Sequence, residues 1–234
     1  MAINTTPYVQ AFLTFRRSLS QAADYQNPNY TNSAIHRERF KRIMDARAAL
    51  QALIPTAPEA NPDTGIAKVL DGLAPKNADD VALQEAEWRK VQTLLDAGRS
   101  LEVIIKQANP VRLAAIGQWI EVSPQALQSA DPEGVVAEVR ELVFQQLVEA
   151  GVPAAVHARD VTADANVLSA WRDVLTEALE GAASLGALSR LARVDVEGYR
   201  ALNLDETLQR DVEIDHEVQR IDGLFLRSDA VRAR

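Results

Sequence analysis

The chain has 234 residues, of which 47% are hydrophobic, 25% charged and 5% aromatic, and its formal net charge is −8. This composition is that of an ordinary globular protein, and the length suffices for one large domain or two small ones. The sequence has no cysteine, which excludes a disulfide framework, thiolate catalysis and zinc sites with cysteine ligands.

Proline follows a polar residue at several points where an apolar periodic stretch begins. The clearest cases are Thr6-Pro7, Asn109-Pro110, Ser123-Pro124 and Asp131-Pro132. A side-chain oxygen at the N-cap and a proline at the first helical position both favour a helix start, because the N–H that proline lacks would have no partner there. No segment alternates with the period of a strand, so the sequence predicts an all-α fold without a sheet.

The first 54 residues are predicted to form a basic helical hairpin. Apolar residues repeat at spacings of three and four in residues 7–24 and again in residues 33–54, where Ser33 is the predicted N-cap. The polar residues 25–32 predict the loop between the two helices. Residues 55–76 are predicted to be a Pro-rich linker with a short helix at 66–73.

Residues 77–234 are predicted to form an acidic helical body, packed as an irregular multi-helix bundle. An irregular segment is expected at residues 152–161. The same periodicity and capping signals predict helices at residues 77–97, 100–108, 110–120, 132–150, 162–179, 185–193 and 205–226, with shorter ones after Pro124 and at 195–203.

Residues 135–147 resemble residues 167–179 at an offset of 32, and residues 88–91 partly echo both. The offsets are unequal, whereas the stacked units of a solenoid need one period. Similar amphipathic helices produce such a likeness by chance, so we do not predict a repeat protein.

Charge is distributed unevenly along the chain. Residues 1–50 contain seven Lys or Arg against three Asp or Glu, and the remainder contains eighteen against thirty. The stretch Asp205, Glu206, Asp211, Glu213, Asp215 and Glu217 contains like-charged residues four apart, which cost a few tenths of a kcal/mol unless a basic neighbour compensates them. We therefore expect a charge-complementary contact, within the chain or between subunits, that draws on Arg16, Arg17, Arg37, Arg39, Lys41, Arg42, Arg47, Asp211, Glu213, Asp215 and Glu217.

Nucleic-acid binding is the alternative interpretation of the basic hairpin. Its cations Arg16, Arg17, Arg37, Arg39, Lys41 and Arg42 lie beside Tyr25 and Tyr30, which suits phosphate contacts and base stacking. The acidic body would repel a polyanion, and the predicted loop is too long for a helix-turn-helix.

Signals for catalysis or for metal binding are weak. Glu213 and His216 form one E-x-x-H pair, whereas di-iron bundles use two such pairs with two further glutamates. The sequence lacks a nucleophile elbow, a phosphate-binding glycine loop and an H-E-x-x-H motif. We predict no catalytic residue, no cofactor and no metal site.

The preferred hypothesis is a non-enzymatic structural, assembly or adaptor protein that acts through helix faces and complementary charges. We expect protein partners, in a homo-oligomer or a larger complex, and a virion or phage head–tail component is one such role. A nucleic-acid-associated regulator is the alternative, and a helical-bundle metal-binding protein or enzyme ranks third. No apolar run reaches the roughly 20 residues of a membrane span and residues 1–7 lack a secretory signal, so we expect no membrane contact and a cytoplasmic location, or a virion if the protein is viral.

Overall fold

The computed structural model describes residues 3–57 and 65–232, with the side chains of all of these except 205–209 and 226–232. Helices dominate, and no strand occurs in this described part of the chain, so the predicted all-α fold is confirmed. Residues 58–64 of the predicted linker lie outside the described residues. In chain order the helices are α1 (Thr6–Ala23), α2 (Asn32–Gln51), α3 (Ile66–Gly72), α4 (Ala78–Asp96), α5 (Leu101–Lys106), α6 (Pro110–Trp119), a 3-10 turn (Ile120–Val122), α7 (Pro124–Leu127), α8 (Pro132–Glu149), α9 (Pro153–Glu180), α10 (Leu185–Val194), α11 (Val196–Ala201) and α12 (Leu204–Arg232).

Side-chain caps start many of these helices. Asn109, Ser123 and Asp131 each accept a hydrogen bond from the backbone N–H three residues later, as predicted. The other two predicted starts differ by one or two residues. Thr5 rather than Thr6 is the N-cap of α1, and Thr31 rather than Ser33 caps α2.

The chain divides into two compact units, and the division differs from the predicted one. The first unit comprises the described parts of residues 1–58 and 164–234, and the second those of residues 59–163. The predicted body, residues 77–234, is thus shared between both units, with the boundary inside α9. The helices of the first unit are grouped by apolar contacts between segments that are far apart in the sequence. The local sequence pattern does not indicate such contacts.

Each unit has its own apolar core. In the first unit α1, α2, α10, α12 and the later part of α9 bury a cluster that includes Phe12, Phe15, Ile43, Leu50, Trp171, Leu175, Leu191 and Ile221. In the second unit α3 to α6, α8 and the beginning of α9 bury another that includes Trp88, Val91, Leu113, Ile116, Val143 and Leu147. Burial of these side chains is the main favourable contribution to the stability of each unit.

The prediction of an irregular segment at residues 152–161 is wrong, because α9 already begins at Pro153. Gly151, with φ of 72°, ends the preceding helix in the left-handed conformation that glycine adopts easily. Ala155 and Ala158 are buried in the core of the second unit. A helix face made of alanine gives little periodic signal, although alanine is the best helix former.

A short local pattern occurs once in each unit. Trp88-Arg89-Lys90-Val91 and Trp171-Arg172-Asp173-Val174 place their tryptophan and valine in the core of the second and first unit, respectively. Ten residues after each tryptophan comes a glycine with positive φ, Gly98 at 81° and Gly181 at 157°. Ser100 and Ser184 then stand at the N-caps of the next helices. In both stretches a glycine and then a serine separate a long helix from a shorter one, although the two glycines adopt different backbone conformations.

Candidate functional site

Some of the predicted basic and acidic residues meet within the first unit. We call this the hairpin–α12 contact; it joins Arg16, Arg39 and Arg47 to Asp211, Asp215, Glu217 and Asp222. Helical geometry places residues 211, 215 and 222 on the same side of α12, because separations of four and seven residues are close to whole turns. The acidic stripe therefore faces the hairpin.

Arg16 of α1 binds two carboxylates one turn apart. Its Nη1 donates to Asp215 Oδ1 at 2.6 Å, its Nε donates to Asp211 Oδ1 at 3.3 Å and its Nη2 donates to the Asp211 carbonyl oxygen at 3.0 Å. Burial alone would lower the pKa of the Arg16 guanidinium, but hydrogen bonds and charge from Asp215 and Asp211 outweigh it and raise that pKa. The repulsion expected between Asp211 and Asp215 is thus compensated by one arginine.

Arg39 of α2 is 7% exposed and links the interhelical loop to α12. Its Nε donates to the Tyr25 carbonyl oxygen at 2.9 Å, and its Nη1 donates to Glu217 Oε1 at 2.9 Å. Glu217 also accepts two hydrogen bonds from Arg220. The hydrogen bond from Arg220 is the largest cause that lowers the pKa of Glu217, with the charges of Arg220 and Arg39 adding to it against partial burial.

Arg47 binds Asp222 with both terminal nitrogens, at 3.1 and 2.7 Å. Such bidentate pairing fixes orientation as well as charge. Asp222 was not among the predicted acidic residues, although it follows Asp215 by seven residues and so falls on the same side of the helix. Phe40 stacks on Phe225 with ring centroids 4.9 Å apart, which adds an apolar contact between α2 and α12.

The remaining predicted residues lie outside the hairpin–α12 contact. Arg42 pairs with Glu38 at 3.0 Å and lies over the Tyr25 ring. Arg17, Arg37, Lys41 and Glu213 are exposed, and none of them forms an ion pair with a described residue. The side chains of Asp205 and Glu206 lie outside the described residues. Among the described side chains, no group of three or more His, Asp or Glu is arranged to hold a metal ion, and His216 of the E-x-x-H pair is exposed.

A polar cleft of about 420 Å³ lies beside the contact, between the interhelical loop, α2 and α12. Five charged residues line it. Four of them are already paired, Arg39 with Glu217 and Arg210 with Asp24, which leaves Glu213.

A second feature lies on the opposite side of α1 from Arg16. Two neighbouring clefts, of about 190 and 310 Å³, share Ser18, Ala46 and Ala49 and form one groove between α1 and α2. We call this the outer groove; it is lined by Pro7, Gln10, Ala11, Thr14, Phe15, Ser18, Gln21, Ala22, Arg42, Asp45, Ala46, Ala49, Leu50 and Leu53. Leu53, at one end, is 55% exposed. The sequence did not lead us to predict this groove. The pattern that would have indicated it is a second row of small and apolar residues along α1 and along α2.

Comparison of the chain with models of known protein families, with curated protein sequences and with solved structures finds no match. No helix in the described part of the chain combines the length and the apolar composition needed to cross a membrane.

Proposed function

We propose that this chain is a non-enzymatic assembly or adaptor protein that binds another protein chain through the outer groove of its N-terminal hairpin. The observation that carries the proposal is the difference between the two sides of the hairpin. On one side arginines are engaged by carboxylates of α12, and on the other lies an open groove lined by apolar and polar side chains. A role in a virion or phage head–tail assembly is one form of this proposal.

The dimensions of the groove suit a helix. It extends from Pro7 to Ala22 along α1, which at 1.5 Å per residue is about 22 Å, or four helical turns. Helices commonly bind such grooves through apolar side chains spaced three and four residues apart. Ala11, Ala46 and Ala49 have short side chains, so a bound helix can approach closely.

Nucleic-acid binding through the hairpin has less support. Phosphate binding needs unpaired cations, and Arg16, Arg39 and Arg47 are each held by carboxylates of α12. Three of the predicted cations, Arg17, Arg37 and Lys41, remain exposed. A mobility-shift series at low salt separates the two functions, and we expect no retardation of DNA or RNA.

Site-specific photo-cross-linking tests the proposal. A benzophenone amino acid replaces Ala49, which lines the groove, or Ala48, which is exposed on α2 but does not line it. In the native host we expect position 49 to give a protein adduct whose cross-linked peptide is defined by mass spectrometry, and position 48 to lack it. Absence of a protein adduct at position 49, or the same adducts at both positions, would contradict the proposal.

A further inference from the structure

We propose that the polar cleft beside the hairpin–α12 contact binds an amino acid, with its carboxylate at Arg39 and its ammonium group at Glu213. The inference is independent of the proposed function, which concerns the outer groove. The cleft has a volume of about 420 Å³ and is lined by residues of the interhelical loop, α2 and α12. Sites for small molecules commonly measure about 300–1,000 Å³, so the cleft has room for such a ligand.

Arg39 supplies the positive end of the cleft. Its side chain is more than nine-tenths buried, and its Nε and Nη1 donate to the Tyr25 carbonyl oxygen and to Glu217. Its Nη2 has no hydrogen bond to a described residue. The buried side-chain atoms without a partner, in the described part of the chain, are His36 Nδ1 and Gln84 Oε1, so Arg39 Nη2 is open to solvent. Because Arg39 lines the cleft, this nitrogen is a donor for a bound carboxylate.

The charges around Glu217 do not balance. Arg39 and Arg220 both pair with its single carboxylate, which leaves one positive charge uncompensated. Glu213 lies one helical turn away on α12, lines the same cleft and has no ion pair with a described residue. The other two charged residues of the cleft pair with each other. The cleft therefore presents one uncompensated charge of each sign.

A molecule that carries a carboxylate and an ammonium group complements both charges. A simple anion would be repelled by Glu213 and Glu217, and a simple cation would meet the free nitrogen of Arg39. Such repulsion between like charges disfavours ligands with a single charge. The apolar side chains of Ala23 and Ile214 also line the cleft and offer a contact for the carbon atoms of the ligand. These requirements together describe an amino acid.

Isothermal titration calorimetry of the full chain tests the inference, with the standard L-amino acids, β-alanine and γ-aminobutyrate as probes. We expect saturable binding of at least one of them. Its carboxamide and its N-acetyl derivative should each bind at least about tenfold more weakly, because each lacks one of the two charges. Absence of saturable binding by every probe, or equal binding of either derivative, would overturn the inference.

Two exposed glutamates provide a matched pair of variants. Glu213→Gln removes the negative end of the cleft without breaking an ion pair between described residues, and we expect it to weaken binding at least about tenfold. Glu180→Gln makes the same change at the end of α9, outside the cleft, and should leave the affinity unchanged. Equal affinities of these two variants would contradict the role given to Glu213.

Two glutamines locate the bound molecule. Gln26 lines the cleft, whereas Gln51 is exposed at the end of α2 and does not. In proton–nitrogen correlation spectra we expect the bound amino acid to shift the side-chain amide resonances of Gln26 and to leave those of Gln51 in place. A ligand that shifts both or neither binds elsewhere, and that result would overturn the inference.

Discussion

Arg39 connects two parts of the first unit with one side chain, since it binds the Tyr25 carbonyl oxygen and the Glu217 carboxylate. Substitution with methionine keeps the bulk but leaves the carbonyl without this donor, and we expect a loss of about 2 kcal/mol in the free energy of unfolding. Arg220 still pairs with Glu217, which keeps the loss below that of a fully orphaned buried charge.

Urea denaturation measures this loss, with Arg37→Met as the control. Arg37 lies two residues away on the same helix, is exposed and forms no ion pair with a described residue. Its replacement should change stability by less than about 0.5 kcal/mol. Equal effects of the two substitutions would show that the Arg39 contacts add nothing to stability.

Glu87 gives the second unit a pH-dependent contribution. Its side chain is 8% exposed and accepts hydrogen bonds from Lys90 and, at 2.8 Å, from Arg112. The hydrogen bond from Lys90 is the largest cause that lowers the pKa of Glu87 below its ordinary value of 4.5, with burial opposing it and Arg112 assisting. The carboxylate therefore stays ionised in the folded chain at pH values where the unfolded chain already binds a proton.

A lowered pKa in the folded state contributes stability that is complete above the unfolded value and is lost as the pH falls through the folded value. Glu87→Gln should accordingly reduce stability at neutral pH and flatten the decline between about pH 5 and pH 3. Thermal melts across this range measure the difference. Glu138→Gln, at an exposed carboxylate, should keep the full decline, and an unchanged decline in the Glu87 variant would contradict the assignment.

At the scale of the element, α8 and α11 start with the same cap. Asp131 and Asp195 adopt similar backbone angles, with φ of −133° and −140°, and accept hydrogen bonds from Gly134 and Gly198 at 3.0 and 2.8 Å. A Cβ on either glycine would lie 2.1 or 2.2 Å from the capping carboxylate. The two caps differ in their surroundings: Asp131 is exposed, whereas Asp195 is partly buried and also accepts the indole N–H of Trp171 at 2.9 Å.

We therefore expect Gly198→Ala to destabilise the chain by about 1–2 kcal/mol, because Asp195 cannot move without losing the indole hydrogen bond. Gly134→Ala should be nearly neutral. Asp131 is exposed and can turn away, and the better helix propensity of alanine offsets the weakened cap by up to about 1 kcal/mol. Far-UV circular dichroism during urea denaturation compares the two, and equal losses would contradict the role given to Trp171.

A helix start can be predicted from the sequence when the residues that determine it are close together in the chain. Caps act within four residues, so the starts at Asn109, Ser123 and Asp131 could be predicted. The start of α9 could not, because Ala155 and Ala158 resemble surface positions until the core that covers them is known.

The sequence predicted that oppositely charged residues would pair at the candidate site, but it identified only some of the residues that do so. Like charges on α12 indicated a basic neighbour, and Arg16, Arg39 and Arg47 are among the cations expected to supply it. Pairing depends on helix orientation, so the sequence could not separate these three from Arg17, Arg37 and Lys41. The outer groove was missed because small residues between two helices produce no charge or motif signal.

At the scale of the whole molecule, each unit has a core of its own. Leu175 belongs to the first core and Leu113 to the second, and both are fully buried. Each replacement by alanine should cost about 2–5 kcal/mol in the unit that contains it, through lost apolar burial and the cavity left behind. Native-state hydrogen exchange assigns the loss to amides of one unit or the other.

We expect Leu175→Ala to lower protection chiefly in α1, α2 and α12, and Leu113→Ala chiefly in α4, α6 and α8. Leu127→Ala, at a side chain that is 65% exposed, serves as the control and should leave protection in both units unchanged. A uniform decrease across both units in the two core variants would show that they unfold as one.

The discontinuous first unit also sets an order of events during synthesis. Arg16 and its partner Asp211 are 195 residues apart in the chain. At 5–20 residues per second the ribosome needs about 10–40 s to make what lies between them. For most of that interval α12, which begins at Leu204, has not been translated, while residues 59 to 163 are made in one continuous run. The second unit therefore has all its helices before the hairpin, although translated first, can acquire its carboxylate partners.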